Sequence, residues 1–459
     1  MARVLRAGWT SGSRRGRVRR VLPLCCLAAL AAVRARADPL PVLLPERSAE
    51  DWRGSSTPLK DIRIGADTHL TLGADARFKV EGIDAPRLGF SRAVRDVWLT
   101  QRYLAHADLR AGDHLRVFAQ LGVHDGRGRK ADVTFDDDRF DLNQGFVDLG
   151  ADVGSARATL RVGRQELTLG SPRFVTLRDP TNLRQRHDLA RLTVASKGWR
   201  ADVFAGRPTQ DRIGVFDDRG DPRQEFAGLR LQRRYGRLTA NLLVFDLARD
   251  RFQVGDVAAR DHRRSFGGHM FGRLGDFDFD AEALRQTGRF GAQRVSAFGG
   301  AVDVGRTFRD TPLSPRLGAR LTYGSGDGDP ADGEQGTFAP PFPGAWFGQN
   351  GLSSFSNVVE AAATLRLEPR RDLAMSFKLG GSWRADAHDY VYIGNAVALP
   401  GTRAGGAEVA ASASAAMIWR LSRHVTWTGY VSAVAISDDL KALGGDDVIY
   451  ANSALSFSY

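Results

Sequence analysis

Between Thr68 and Gly82, Leu70, Leu72, Ala74, Ala76, Phe78 and Val80 occupy even positions, and Thr71, Asp75, Arg77, Lys79 and Glu81 occupy odd ones. A period of two gives an extended strand with one apolar and one charged face. The run exceeds the ~5–6 residues usual for a globular strand and suits the ~9–11 of a tilted membrane strand. A face carrying serial charges is not a dry core; it meets bulk water or a wet lumen. By itself the segment also fits a soluble sandwich.

The rest of the chain separates the two. The same alternation predicts eighteen strands, beginning at 68–82 and ending at 447–459, with others at 94–110, 156–169, 237–248, 263–273, 354–367, 370–385 and 404–421. Leu317, Ala319, Leu321 and Tyr323 oppose Arg316 and Arg320; Ala361, Ala363 and Leu365 oppose Glu360 and Arg366. The connections alternate between tight turns, such as Ala111-Gly112-Asp113 and Glu368-Pro369-Arg370, and long loops at 83–93, 125–138, 170–186, 207–224, 249–262, 326–353, 386–403 and 438–446. Only the link near Gly288–Gly291 is short where a long one is due. Sorting loops by length is how a single-chain outer-membrane barrel is organised, with short turns in the periplasm and long loops outside. The predicted fold is all-β: a single antiparallel transmembrane β-barrel over 68–459, of about 18 strands, with long extracellular loops and short periplasmic turns.

The ends of the chain agree. Residues 1–37 combine an arginine-rich start, the apolar stretch Val21–Val33 and the small-residue site Ala35-Arg36-Ala37, the pattern of a secretory signal peptide. Residues 38–67 form an irregular segment before the first strand. Cys25 and Cys26 leave with the signal, so the mature chain has no disulfide. The formal charge of +12 falls to +3 once the nine signal arginines are removed, which takes away the basic excess a nucleic-acid partner would need. No later segment has the ~18 continuous apolar residues of a membrane helix. At the C-terminus, Ile449, Ala451, Leu455, Phe457 and Tyr459 alternate with polar residues, and the chain ends on an aromatic, as in strands recognised by the barrel-assembly machinery.

Candidate chemistry lies on the inward parity. The chain has only six lysines, and its inner faces are rich in arginine, whose planar fork suits carboxylates. The candidate solute-binding set is Arg77, Lys79, Arg102, Arg116, Arg164, Glu166, Arg191, Arg320, Arg366 and Arg384. Parity slips near Gly163, so Arg164 and Glu166 face inward if Gly163 sits at a bulge. The opposing reading is that these arginines pair with Asp75, Asp108, Glu166, Glu360 and Asp372 to knit the wall. Asp327, Asp329, Asp332 and Glu334 lack the spacing of a calcium loop. No G-x-S-x-G or H-E-x-x-H motif occurs, so no enzyme, cofactor or metal is expected. The stretch before the first strand is too short for a receptor plug.

Two segments carry a family resemblance. Val162-Gly163-Arg164-Gln165-Glu166-Leu167, continuing through Gly170, Arg173-Phe174-Val175 and Thr181-Asn182-Leu183-Arg184, resembles a motif of the alginate-export family of outer-membrane proteins. Ser325-Gly326-Asp327-Gly328-Asp329-Pro330, with Gly336-Thr337-Phe338 and Pro340-Pro341-Phe342-Pro343, is similar to that family's long loop, and Phe140–Leu149 is similar to the strand before the first motif. Gln185-Arg186-His187-Asp188-Leu189 departs from the family pattern. The resemblance implies an eighteen-stranded barrel whose namesake passes a polyuronate through an arginine-lined constriction. The expected function is passage of anionic carbohydrate; the alternative is a general or small-solute porin of the same fold. Expected partners are anionic polysaccharide or oligosaccharide, outer-membrane lipid, the barrel-assembly machinery and periplasmic export proteins.

Overall fold

The computed structural model describes residue 44 and residues 46–91, 95–130, 136–345 and 347–459. The export signal expected over 1–37 lies outside the described residues. The wall is built from β1 (Thr68–Asp84), β2 (Arg95–Ala111), β3 (Leu115–Arg127), β4 (Asp138–Val153), β5 (Ala156–Glu166), β6 (Arg186–Ser196), β7 (Trp199–Gln210), β8 (Gln224–Tyr235) and β9 (Leu238–Val254). It continues through β10 (Val257–Leu274), β11 (Phe277–Phe290), β12 (Gln293–Thr307), β13 (Arg316–Gly324), β14 (Val358–Arg370), β15 (Leu373–Trp383), β16 (Glu408–Arg420), β17 (Val425–Ile436) and β18 (Val448–Ser458).

Each wall strand pairs antiparallel with its neighbours in sequence. β1 closes on β18 from Asp75↔Ser458 to Ile83↔Tyr450. Closure gives the backbone groups partners inside the protein, which lipid cannot supply. Parity does the rest. Val97, Tyr103, Leu149, Val162, Leu192, Val203, Leu242, Phe266, Val302, Leu321, Leu379, Val431 and Leu455 are exposed on the outer face. Arg102, His106 and Asp108 alternate with them on β2 and are buried inside. Trp199, Tyr235, Phe277, Trp419 and Trp427 cluster at the short-turn end, where amphipathic rings suit the lipid headgroup level.

The inner face is not uniformly wet. Phe204, Phe226, Leu243, Phe245 and Leu247 point inward from β7–β9 and are buried. Leu167, Leu169, Phe174 and Val175 from 167–185, and Phe338, Phe342 and Phe355 from the loop after β13, cover them in one apolar cluster. At the loop end, Tyr430, Val434, Ile436, Tyr450, Leu399 and Leu440 form a second cluster with Trp98 and Leu88. The loops therefore fold into the barrel because the apolar half of its lumen needs covering.

Several expectations change. The strand expected over 156–169 ends at Glu166, because Leu167 and Leu169 leave the wall to enter the apolar cluster. The loop expected over 249–262 is a hairpin closed by Gly255-Asp256, with β9 and β10 paired up to Val254↔Val257. Gly163 is not a bulge: the register runs unbroken past it on both sides, Phe146↔Gly163↔Leu189, although its φ of +130° still requires glycine. The two-for-one irregularity lies on the facing strand, between Gln144 and Leu142 opposite Gln120 and Leu121. Arg384, expected on a strand reaching 385, stands beyond the end of β15.

The segment before the wall is ordered against the inner face at the short-turn end. Arg47 pairs with Glu50 and with Asp75 of β1, at 3.3 and 3.2 Å, and donates to the Tyr459 carbonyl at 2.8 Å. Arg110 and Arg116 donate to the carbonyls of Glu50 and Ser48.

Candidate functional site

The inserted segment 167–185 carries a dense group of charges. Its tip is held by cations from the wall. Arg77 donates to the Asp179 and Thr181 carbonyls, each at 2.7 Å. Lys79 donates to the Pro180 carbonyl at 2.9 Å and pairs with Glu81 at 2.8 Å. Arg102 pairs with Asp179 at 2.9 Å, and Arg184 reaches the same carboxylate oxygen at 2.5 Å and Glu166 at 3.4 Å. Asn182 anchors the tip from the far side, donating to the carbonyls of Gln101 and Asp136.

Alternation explains why these groups meet. Arg77 and Lys79 are two apart on β1, so they share the inner face, and Arg102 is directly opposite Arg77 on β2. Like charges facing each other repel, and the chain places Asp179 between them. Burial deep in the barrel pushes the Asp179 carboxyl up, but the guanidiniums of Arg184, Arg102 and Arg77 outweigh this and hold it well below the usual carboxylate range. Its side chain keeps 43% of its surface open, whereas Arg102 and Arg184 each keep 7%. The carboxylate thus faces lumen space while its cations sit behind it. Four cations (Arg77, Lys79, Arg102, Arg184) stand against three acids (Asp179, Glu81, Glu166), a formal excess of one positive charge.

Of the ten residues expected to line the lumen, the structure brings Arg77, Lys79, Arg102 and Glu166 together here. The others lie elsewhere. Arg116 sits on Asp108 at 2.7 and 2.9 Å, within a ladder that continues to Asp148 and Arg161. Arg191 shares the fully buried Asp202 with Arg200 and Arg230. Arg320 shares Asp303 with Arg316. Arg164, with neighbours at Asp188 and Asp141, is buried in the wall near the long-loop end. Arg366 pairs with Glu368, both half-exposed, at the short-turn rim. Arg384 donates to the carbonyls of Asp389, Thr402, Gly405 and Gly406 and so ties one loop together.

Arg184 and Asp179 escaped the candidate set. Arg184 stands in the Thr181–Arg184 part of the family-like motif, so its signal was present. Asp179 follows Arg178 in a loop with no parity to place it. The departure at Gln185–Leu189 has a physical form: Arg186 is buried against Asp211 and Asp218, and His187 packs on Phe226 and Phe342.

A closed wall with an apolar outer band, tight turns at one end and infolded loops at the other defines an outer-membrane β-barrel channel. The chain belongs to the alginate export family, whose model matches residues 68–441. Its fold is shared with solved outer-membrane proteins. Acinetobacter baumannii OccAB1 superposes with a TM-score of 0.56 at 12% identity, over 87% of this chain and 98% of that one. Pseudomonas aeruginosa OpdO gives 0.55 at 15%, over 86% and 97%. Pseudomonas aeruginosa OpdK, solved with vanillate, gives 0.52 at 10%, over 84% and 98%. At such identities the likeness is one of fold. No curated protein matches the chain.

Proposed function

We propose that this channel passes anionic carbohydrate, a polyuronate or a related acidic polysaccharide, by exchange of carboxylates at the Asp179 cluster, and that it has no chemistry of its own. The observation that carries the reading is the half-exposed Asp179 carboxylate held by guanidiniums from β2 and from its own loop, with Arg77 of β1 on the carbonyl of the same residue. A solute carboxylate has the same charge and the same two-oxygen fork. Arriving at Arg77, Arg102 and Arg184, it competes with Asp179, and the loop carboxylate returns when the solute moves on. Fixed guanidiniums replace lost hydration at little reorganisation cost, and competition from Asp179 keeps binding weak enough for release. Arg191, Arg200 and Arg230, three cations around the single Asp202, would add a positive potential along the wall without direct contact.

The small-solute porin reading has one observation in its favour. Thr364, Ser376, Ser414, Thr428 and Ser456, on the inward parity of β14–β18, offer a neutral, unselective lining.

The test is ion selectivity in planar bilayers under a salt gradient. Wild type should prefer anions. Asp179→Asn removes one acid from the cluster, raising its formal excess to two, and should strengthen that preference. A cation-preferring wild type, or an Asp179→Asn channel less anion-selective than wild type, would refute the exchange mechanism.

A further inference from the structure

Near the short-turn end, β10 turns an aromatic ring toward the lumen. Asp261, Arg263, Ser265 and His269 are buried on the inner face of β10, and Phe271 and Arg273 continue the same parity. Phe271 is stacked on His269, with centroids 4.9 Å apart and planes 18° apart, yet keeps 39% of its surface exposed. An inward ring left uncovered differs from Phe204, Phe226 and Phe245, which the infolded loops bury.

The register places cations around it. Arg234 of β8 faces Thr239, and Thr239 faces Phe271, so Arg234 lies in the same cross-strand row, about 10 Å from Phe271 at ~4.8 Å per strand. Arg273 lies one inward position further along β10, about 7 Å away. Both arginines are exposed, and neither has an ion pair or a side-chain hydrogen bond among the described residues. Their nearest inward acids are engaged: Asp278, opposite Arg273, holds Arg316 at 2.6 Å, and Asp280, opposite Phe271, holds Arg173 and His269. Arg173 and Arg316 thus leave Arg234 and Arg273 as cations with spare donors.

We propose that Phe271, Arg234 and Arg273 form a binding subsite for an acidic sugar ring at the periplasmic mouth, which takes the ring before it reaches Asp179. This rests on the reading of the channel as a conduit for anionic carbohydrate. The C–H face of a pyranose packs on the Phe271 ring, and the carboxylate, projecting from the ring edge, meets one of the flanking guanidiniums. A sugar acid satisfies both halves of the subsite; a neutral sugar satisfies only the ring, and a flexible polyacid only the arginines.

The full-length channel in planar bilayers tests this with three probes added on the short-turn side: a hexauronate, a neutral hexaglucan and hexaglutamate. Hexauronate should block wild-type current best. Phe271→Leu keeps an apolar side chain and the fold, but loses the flat face. It should weaken the hexauronate block about fivefold, the effect of roughly 1 kcal/mol of aromatic contact, and leave hexaglutamate unchanged. Phe271→Tyr should block like wild type. Arg234→Ala with Arg273→Ala should weaken both acidic probes. The subsite is overturned if Phe271→Leu blocks like wild type, if it loses hexaglutamate equally, or if the arginine variant keeps its block. Those results leave the conduit reading intact; a wild type that no hexauronate blocks would remove that reading as well.

Discussion

Gly163 shows how narrowly a single residue can be constrained. Its φ of +130° lies where side chains are rarely accommodated, and a Cβ there would stand 2.2 Å from the Gly145 carbonyl oxygen. The contact is with backbone, so it cannot be relieved by a rotamer change. Gly163→Ala should cost roughly 1–3 kcal/mol and lower the yield of folded, heat-modifiable barrel. Wild-type yield would show that the wall bends there without difficulty. The glycine stood out in the sequence beside Arg164, but only the register shows that it faces Phe146 and Leu189 directly rather than sitting at a bulge. The inward arginines were equally legible by parity. Their partners were not, because several are backbone carbonyls of loops, as where Arg77 meets Asp179 and Thr181.

Among the elements, the loop after β13 is one where burial raises carboxyls that also fasten the chain. Burial, with the charges of Asp389 and Asp332 added, pushes the Asp327 carboxyl up to about 6, and burial likewise pushes Asp389 up. The Asp327 amide and the Thr337 hydroxyl both bond Asp389, each at 2.8 Å, so the two acids fasten one turn of the loop. A carboxyl whose pKa is higher folded than unfolded (~3.9) stabilises the folded form fully below the unfolded value, and that stability is lost as pH rises through the folded value. Residues 325–345 should therefore resist proteolysis better at pH 5 than at pH 8, with a local difference of roughly 1–3 kcal/mol. Asp327→Asn combined with Asp389→Asn should flatten the profile; a double variant whose loop still loosens as pH rises would place the switch elsewhere. The Ser-Gly-Asp run was readable as a family feature, but its pairing with Asp389, sixty-two residues on, was not. Alternation describes walls because lipid and water impose it from outside. Loops that fold inward answer to the apolar inner faces of β7–β9, a demand visible only once the barrel has closed.

For the whole molecule, sidedness and closure are the testable properties. A single cysteine at Gly333 should be labelled on intact cells and one at Pro369 should not; the native cysteines, both in the expected signal, offer no background. Labelling at Pro369 alone would invert the barrel. Removing Phe457–Tyr459 deletes the Ala76↔Phe457 and Asp75↔Ser458 pairs and the Tyr459 carbonyl that Arg47 holds. The truncated chain should fail to insert, and a heat-modifiable band from it in the outer membrane would contradict this. The strand count and the wall order were largely readable from parity and loop length, since both follow from spanning a bilayer with a closed sheet.

The seam between β1 and β18 also sets an order in time. The ribosome makes Thr68 long before Ser458; Ile62–Gly65 pairs with the first residues of β1, but Asp75–Ile83 has no second neighbour until β18 arrives. Until then one long edge of the sheet is a row of unpaired amides and carbonyls, open to any passing strand. Arg47 and Lys60 lie upstream of β1, and the Tyr459 carbonyl and ring they meet lie downstream of β18. The barrel is thus a clasp whose two halves flank all eighteen wall strands in the chain, and every nascent copy must be kept from finding another copy's edge before it has closed its own.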